Sequence, residues 1–304
     1  MPEVKFGVNL WPLPLEQAER VEELGFDSLW TSEHMLFYVP MFDAITILAA
    51  FATRTKRLLL GSAVLLLPLR HPTVLAKEVA SLDIISNGRI ILGVGVGGEF
   101  AREFVACGVP LNERGPRTDE GIQVMRRLWS ESHVNHEGRF FRLEDASMEP
   151  KPVQRPGPPI WVAGRSEAAM KRAGRLGDAY FPYLFSPERY RDGLAKVRAY
   201  AEAAGRDPSS VQGAIYQFIA LADTYEEAHQ RANQELSLRY NQPFDRIVDR
   251  YCVLGTPDQC AERLAEYVEA GVTHFCLVPI APPTELPAHL EFYARQIVPR
   301  LRGG

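Results

Sequence analysis

The chain has 304 residues, of which 46% are hydrophobic and 24% are charged, and its formal net charge at pH 7 is -4. This composition is typical of a globular protein, and the slightly acidic charge argues against nucleic-acid binding. The longest uncharged apolar stretch, residues 58–69, is interrupted by Gly61 and Pro68 and is shorter than the roughly 20 residues of a membrane span. The N-terminal residues lack the pattern of a signal peptide, so we expect a cytoplasmic protein without a membrane partner.

The cysteines and histidines are scattered along the chain. Cys107, Cys252, Cys260 and Cys276 show no C-x-x-C spacing, and we expect reduced thiols that are mostly packed in the interior. The seven histidines show no spacing typical of metal ligands, so no metal site is predicted.

Short apolar runs alternate with amphipathic helical patterns through the first third of the chain. The predicted strands there are residues 5–9, 28–31, 58–62 and 90–94. The predicted helices there are residues 15–24, 42–52 and 73–85. The runs 58–62 and 90–94 are uniformly hydrophobic, which indicates strands buried on both faces of a parallel sheet. Both end in small residues, which let a ligand approach the backbone closely.

The second part of the chain continues the alternation after a loop and a short helix within residues 97–116. An insertion near residues 133–158 contains two β-like runs at 133–142, joined by a turn at Glu137-Gly138, and then a proline-rich extended segment. Further strands are predicted at 160–163, 178–181, 211–221 and 274–278. Further helices are predicted at 117–130, 167–175, 187–204, 224–240, 256–270 and 287–300, and the segment after Tyr240 has no predicted structure. Eight strands that alternate with helices predict one α/β domain over 1–304, a (β/α)8 TIM barrel with insertions.

The sequence Gly93-Val94-Gly95-Val96-Gly97-Gly98 matches the G-x-G-x-x-G motif of Rossmann dinucleotide sites. That motif should open a helix that leads, within about 30 residues, to a second buried strand with an acidic end. The following residues contain no such strand, so a Rossmann dinucleotide-binding site is disfavoured.

Three segments together resemble the bacterial luciferase-like flavin and deazaflavin oxidoreductases. They are GFDSLWTSEHM at 25–35, LGSAVLLLPLRHPTVLAKEVASLDIISNGRIILGVGVGGE at 60–99 and PPIWVAGRSEAAMKRAGRLGDAYFP at 158–182. The resemblance implies an α/β barrel, a small-molecule substrate and a homodimer. Glu33-His34-Met35 looks like the branch that uses coenzyme F420, because FMN members often carry Glu-His-His there. An FMN-dependent monooxygenase and a flavin-binding protein without catalysis are the alternatives.

Two residues are predicted to be catalytic. His34 follows the second strand, at the barrel face where such enzymes keep their chemistry, and an imidazole can exchange a proton near neutral pH. The resemblance makes Glu99 a candidate carboxylate above the cofactor ring, where it would act as an acid or contact the substrate. Glu33 is expected either to orient His34 or to be a solvated charge, and Glu103 is expected to be structural.

The turn from residue 163 to 166 is predicted to bind the cofactor's phosphate. Ser166 would cap the following helix, whose N-terminus favours an anion, and Gly164 would let it come close. The resemblance also predicts a cis Ala63-Val64 peptide bond that presses against the middle ring of the cofactor. The complete predicted cofactor-binding set is Asn9, Glu33, Ser62, Ala63, Val64, Gly95, Gly97, Ala163, Gly164, Arg165 and Ser166.

Overall fold

The computed structural model describes residues 3–10 and 15–302. The strands are β1 (Lys5–Asn9), β2 (Ser28–Thr31), β3 (Leu59–Ser62), β4 (Leu65–Leu66), β5 (Ile90–Gly95), β6 (Val134–Glu137), β7 (Arg142–Ala146), β8 (Ile160–Val162), β9 (Ala179–Tyr180), β10 (Gln212–Leu221), β11 (Val253–Gly255) and β12 (His274–Pro279). In this part of the chain, eight parallel strands form a closed barrel in the order β1, β2, β3, β5, β8, β9, β10, β12, and β12 pairs back with β1. The predicted (β/α)8 fold is confirmed.

Helices cover the outside of the barrel. They are α1 (Gln17–Glu23), α2 (Ala44–Arg54), α3 (Pro72–Ile85), α4 (Ala101–Ala106), α5 (Arg114–Ser130), α6 (Glu167–Leu176), α7 (Pro187–Ala203), α8 (Tyr225–Tyr240), α9 (Val248–Tyr251), α10 (Pro257–Glu269), α11 (Leu286–Phe292) and α12 (Val298–Arg302). A π-helical turn, Tyr293–Ile297, joins the last two. None of the helices in the described residues is long and apolar enough to cross a membrane.

Aromatic side chains fill the inside of the barrel. The ring centroids of Trp30 and Trp161 are 4.9 Å apart, and Phe181 lies 5.2 Å from Trp30. Gly61 pairs in register with Trp30 on the neighbouring strand, and a Cβ atom at position 61 would overlap the indole ring. The small residue on β3 therefore makes room for the large one on β2, and the interior is a packed core.

A buried polar chain lies within the same core. Trp30 Nε1 donates to Ser28 Oγ at 2.7 Å, and Ser28 Oγ lies 2.7 Å from His274 Nε2. The Ser28 hydroxyl accepts from the indole and keeps its own hydrogen to share with His274 Nε2. Burial, with the positive charge of Lys5 nearby, lowers the pKa of His274 from its ordinary 6.5 to about 3.

The end of β3 lies against β5 at a distance that only glycine allows. The Ala63-Val64 peptide bond is cis, which confirms the predicted geometry, and the strand resumes as β4 beside β5. A Cβ atom at Gly93 would overlap the Ser62 carbonyl oxygen, and one at Gly95 would lie 2.7 Å from Val64 Cγ2. The G-x-G spacing thus serves the packing of two barrel strands, which explains why it does not open a Rossmann helix.

The predicted insertion forms an antiparallel pair of strands, β6 with β7, but the second strand begins at Arg142, where the predicted second run ends. Glu120 on α5 accepts hydrogen bonds from the backbone N–H groups of Phe140 at 3.1 Å and Phe141 at 2.8 Å. His136 Nε2 lies 3.1 Å from the same carboxylate. One side chain of the barrel helix thereby fixes the hairpin against the barrel.

Two strands were not predicted. β11 lies in the segment after Tyr240 and pairs with the far end of β10, with Val253 opposite Ile219. It has three residues and β4 has two, too few for a periodic pattern to be recognised.

Candidate active site

A cavity of about 380 Å³ opens at the carboxyl-terminal ends of the barrel strands. Residues that follow β2, β3, β5, β8 and β9 line it, together with Tyr216 on β10 and Arg239 and Tyr240 at the end of α8. This is the face on which barrel enzymes bind their substrates. The described residues contain no cluster of three or more His, Cys, Asp or Glu side chains suited to a metal ion.

Most of the predicted site residues meet in this cavity. Those that line it are Glu33, His34, Ala63, Val64, Gly95, Gly97, Glu99, Ala163, Gly164, Arg165 and Ser166. Asn9 and Ser62 are buried and do not line it. Ser62 Oγ donates to the Gly93 carbonyl oxygen at 2.8 Å, and Asn9 Nδ2 donates to Ser32 Oγ at 3.0 Å. These two buried side chains stabilise the cavity wall through hydrogen bonds and do not face the cavity.

His34 is oriented by Glu103, which the sequence analysis regarded as structural. His34 Nδ1 lies 3.1 Å and 3.2 Å from the two carboxylate oxygens of Glu103, which is fully buried. The Met35 backbone N–H also donates to this carboxylate, at 3.1 Å. Because a carboxylate accepts hydrogen bonds, Nδ1 carries the hydrogen and Nε2 is the ring atom left for chemistry in the cavity. Phe37 stacks on the imidazole, with 4.0 Å between ring centroids.

Glu33 is not a solvated charge, and its carboxylate bonds to groups other than His34. Its carboxylate is buried and accepts hydrogen bonds from Arg70 Nη2 at 2.7 Å and from the Ala44 backbone N–H at 3.0 Å. Arg70 also pairs with Asp43, the residue that caps α2. Glu33 therefore fixes the loop after β2 to the start of α2, and it contributes to His34 only by holding that loop.

Glu99 lies on the cavity wall and accepts a hydrogen bond from the Tyr183 hydroxyl. Burial and the negative charge of Glu99 raise the pKa of Tyr183, so its hydroxyl stays protonated and donates. The Arg165 guanidinium packs over the Tyr183 ring, 4.7 Å from the ring centroid. The predicted carboxylate is thus held beside the predicted phosphate turn.

Ser32 is the centre of a second set of hydrogen bonds in the cavity, which the sequence did not predict. Its Oγ donates to the Ala63 carbonyl oxygen at 2.9 Å, next to the cis peptide bond, and lies 3.3 Å from the Tyr216 hydroxyl. Burial raises the pKa of Tyr216 to about 12, so the phenol is neutral. Only the chain's folding reveals this contact, because Ser32 and Tyr216 are 184 residues apart.

The turn after β8 has the geometry of an anion site. Ser166 caps α6 by accepting a hydrogen bond from the Ala169 N–H at 3.2 Å, which confirms the predicted cap. Gly164 has a φ of +125°, and a Cβ atom there would lie 2.7 Å from the Ala169 Cβ. The glycine backbone and the positive end of the helix dipole are therefore both exposed to a ligand in the cavity.

The barrel and its cavity define an α/β-barrel protein with a ligand site at the carboxyl ends of the strands. Residues 14–274 match the model of the luciferase-like monooxygenase family. The chain belongs to this family of oxidoreductases, as the three sequence segments indicated.

Its relatives include enzymes of two kinds. The F420-dependent glucose-6-phosphate dehydrogenase of Amycolatopsis mediterranei (strain U-32) is 31% identical over 95% of this chain and 94% of that protein. The structure of monooxygenase RslO1 from Streptomyces bottropensis is 31% identical and covers 97% of this chain and 99% of its own, with a TM-score of 0.83. An F420-dependent secondary alcohol dehydrogenase in complex with an F420-acetone adduct has a TM-score of 0.88 at 23% identity, covering 98% and 99%, and supports the fold.

Proposed function

We propose that this protein is an enzyme that uses coenzyme F420 to transfer a hydride to or from a small organic substrate. Relatives named as F420-dependent dehydrogenases align over nearly the whole chain, at 31% identity in the Amycolatopsis protein. The observation that carries the proposal is His34 on the wall of a cavity that also contains the anion turn at Gly164, with the buried Glu103 orienting the imidazole from behind.

The residues of the cavity fit a flat ring system with a phosphate-bearing tail. The N-terminus of α6, Gly164 and Ser166 would bind the phosphate. The backbone at Ala63-Val64 and at Gly95, where side chains are small or absent on the cavity wall, would contact the face of the ring. When bound, coenzyme F420 supplies the carbon atom that gives or accepts the hydride.

The protein's own groups would handle the proton. His34 Nε2 would take the proton from a substrate hydroxyl during oxidation and return it during reduction. Glu103 would stabilise the protonated imidazole, because its buried carboxylate faces Nδ1 at 3.1 Å. Glu99, held by Tyr183, would serve as the acid or the substrate contact on the other side of the cavity.

The decisive experiment titrates the purified apoprotein separately with coenzyme F420 and with FMN and follows fluorescence quenching. We expect F420 to bind at least about tenfold more tightly than FMN, a difference of about 1.4 kcal/mol. Tighter binding of FMN, or no binding of F420, would contradict the proposal.

An FMN-dependent monooxygenase is the second candidate, favoured by the 31% identity to monooxygenase RslO1. It predicts oxygen consumption by the protein with reduced FMN and a substrate. A flavin-binding protein without catalysis would bind a cofactor and turn over no member of a substrate panel. The same titration followed by turnover assays separates the three functions.

The family resemblance also supports a homodimer. Light scattering during size-exclusion chromatography would measure its mass, and a monomer at micromolar concentration would contradict the dimer.

A further inference from the structure

We propose that the substrate of this site is a neutral, mainly apolar alcohol, or the corresponding carbonyl compound in the reverse reaction. This inference rests on the proposed F420-dependent function. Support for it comes from the side chains that line the cavity away from the anion turn. They are mainly apolar, whereas a sugar phosphate would need polar and positively charged partners.

Aromatic rings form the wall of the cavity on that side. Phe37 and Tyr240 meet edge to face with 6.2 Å between ring centroids. The aliphatic side chains of Val39 and Met41 also line this side. Such surfaces gain free energy by burying apolar carbon and offer little to the hydroxyls of a sugar.

The positively charged side chains of the cavity already have interaction partners. Among the described residues, the arginines and lysines that line it are Arg165 and Arg239. Arg165 packs over Tyr183 beside Gly164, where the cofactor's phosphate would lie. Arg239 is buried and pairs with Glu235 on its own helix at 3.3 Å. A substrate phosphate would have to lose its water near the Glu99 carboxylate without a matching cation, which is unfavourable.

Two polar groups of the cavity, on Tyr216 and His34, present hydrogen-bond acceptors. Ser32 Oγ donates its only hydrogen to the Ala63 carbonyl oxygen and accepts a hydrogen bond from Asn9. The Tyr216 hydroxyl oxygen lies 3.3 Å from Ser32 Oγ, so in this contact Tyr216 is the donor. The Tyr216 oxygen therefore offers lone pairs to the cavity. His34 Nε2 is likewise an acceptor, because Nδ1 carries the hydrogen that faces Glu103. Acceptors match a substrate that donates one O–H group.

The chemistry of such a substrate balances at this site. In oxidation, the alcohol gives its O–H proton to His34 Nε2 and the hydride of its carbinol carbon to the oxidised deazaflavin. The carbon–oxygen bond becomes a double bond, and two electrons leave with the hydride. Reduction of a ketone or aldehyde is the same step in reverse, with His34 returning the proton.

The test begins with the F420 titration, so that a failure of the proposed function is recognised separately. The loaded protein is then assayed with 1-phenylethanol, cyclohexanol, glucose 6-phosphate and 1-phenylethylamine, and binding of each is measured by saturation-transfer NMR. We expect kcat/KM for the better of the two alcohols to exceed that for glucose 6-phosphate by on the order of 100-fold. Equal or better use of the phosphate or the amine would overturn the inference. So would the absence of both binding and turnover for the two alcohols.

Two variants at Tyr240 test the apolar wall directly. Tyr240→Ala should raise KM for the preferred alcohol by roughly tenfold, and Tyr240→Phe, which keeps the ring, should raise it clearly less. The Kd for F420 should be unchanged in both. Phe292→Ala removes a half-exposed ring outside the cavity and is the matched control. If Tyr240→Ala does not fold, Tyr240→Leu gives the same comparison, and an unchanged KM in the folded variant would overturn the inference.

Discussion

His34 Nδ1 lies 3.1 Å from a carboxylate oxygen of Glu103, and Glu103 is fully buried. A buried carboxylate is costly unless hydrogen bonds satisfy it, and here the imidazole and the Met35 N–H do so. Gly97 and Gly98, with φ values of +62° and +110°, turn the chain from β5 toward α4, the helix that carries Glu103. The glycines thus help to bring the carboxylate to the histidine.

Glu103→Gln should lower kcat by about 10- to 100-fold, because a neutral amide stabilises the protonated imidazole less and does not fix its tautomer. The pH dependence of kcat should also change, since the charge that faces the ring is gone. The Kd for F420 should remain within about threefold. Glu262→Gln, at an exposed position of α10, is the control. An unchanged kcat and pH profile would show that Glu103 is only structural.

His34→Ala should lower kcat by about 10²- to 10⁴-fold and leave the affinity for F420 nearly unchanged, if the imidazole moves the proton. Steady-state kinetics and the F420 titration measure the two effects separately. A variant that retains kcat would remove His34 from the mechanism. Phe37 rests on the imidazole at 4.0 Å, so His34→Gln is a useful companion that keeps more of this contact.

The sequence identified His34 but not its partner, and the reason is geometric. Glu103 is 69 residues away and occupies a six-residue helix, where a carboxylate in the first turn is ordinarily explained by the helix dipole. Asn9 and Ser62 show the opposite case. A polar residue at a strand end was expected to point into the cavity, but the alternation of strand side chains directs these two into the packing behind it.

Gly164→Val should weaken F420 binding by about tenfold or more, because the added side chain would fill the approach to the α6 N-terminus. Its Cβ would also lie 2.7 Å from Ala169 Cβ, and its φ of +125° disfavours any L side chain. Gly205→Val is the matched control, because Gly205 also has a positive φ, +74°, but has no heavy atom within 4 Å of an added Cβ. Equal F420 affinities in the two variants would place the phosphate elsewhere.

The barrel itself could be predicted because most of its strands are buried runs separated by helices with clear periodicity. The segment after Tyr240 could not, since the short strand β11 forms only by pairing with β10, more than 30 residues earlier. The end of β3 could be predicted only in part. Small residues at 61–63 indicated an interruption, but the reason for Gly93 and Gly95 emerged only from their contacts with Ser62 and Val64.

The buried His274 should make folding stability depend on pH. In the folded protein burial lowers its pKa from 6.5 to about 3, so below pH 6.5 the unfolded chain binds a proton that the folded chain does not. This contribution to stability is complete above pH 6.5 and is lost as the pH falls toward 3, by up to about 1.4 kcal/mol per pH unit.

His274→Asn will lose packing against Trp161, whose ring lies 4.9 Å away, so the slope of stability against pH is the informative quantity and the absolute stability is not. Guanidinium unfolding between pH 6 and 4 should give a slope smaller by nearly one proton in His274→Asn than in the parent protein. His133→Asn, at an exposed position, is the control. If both variants keep the parent slope, His274 does not carry the pH dependence.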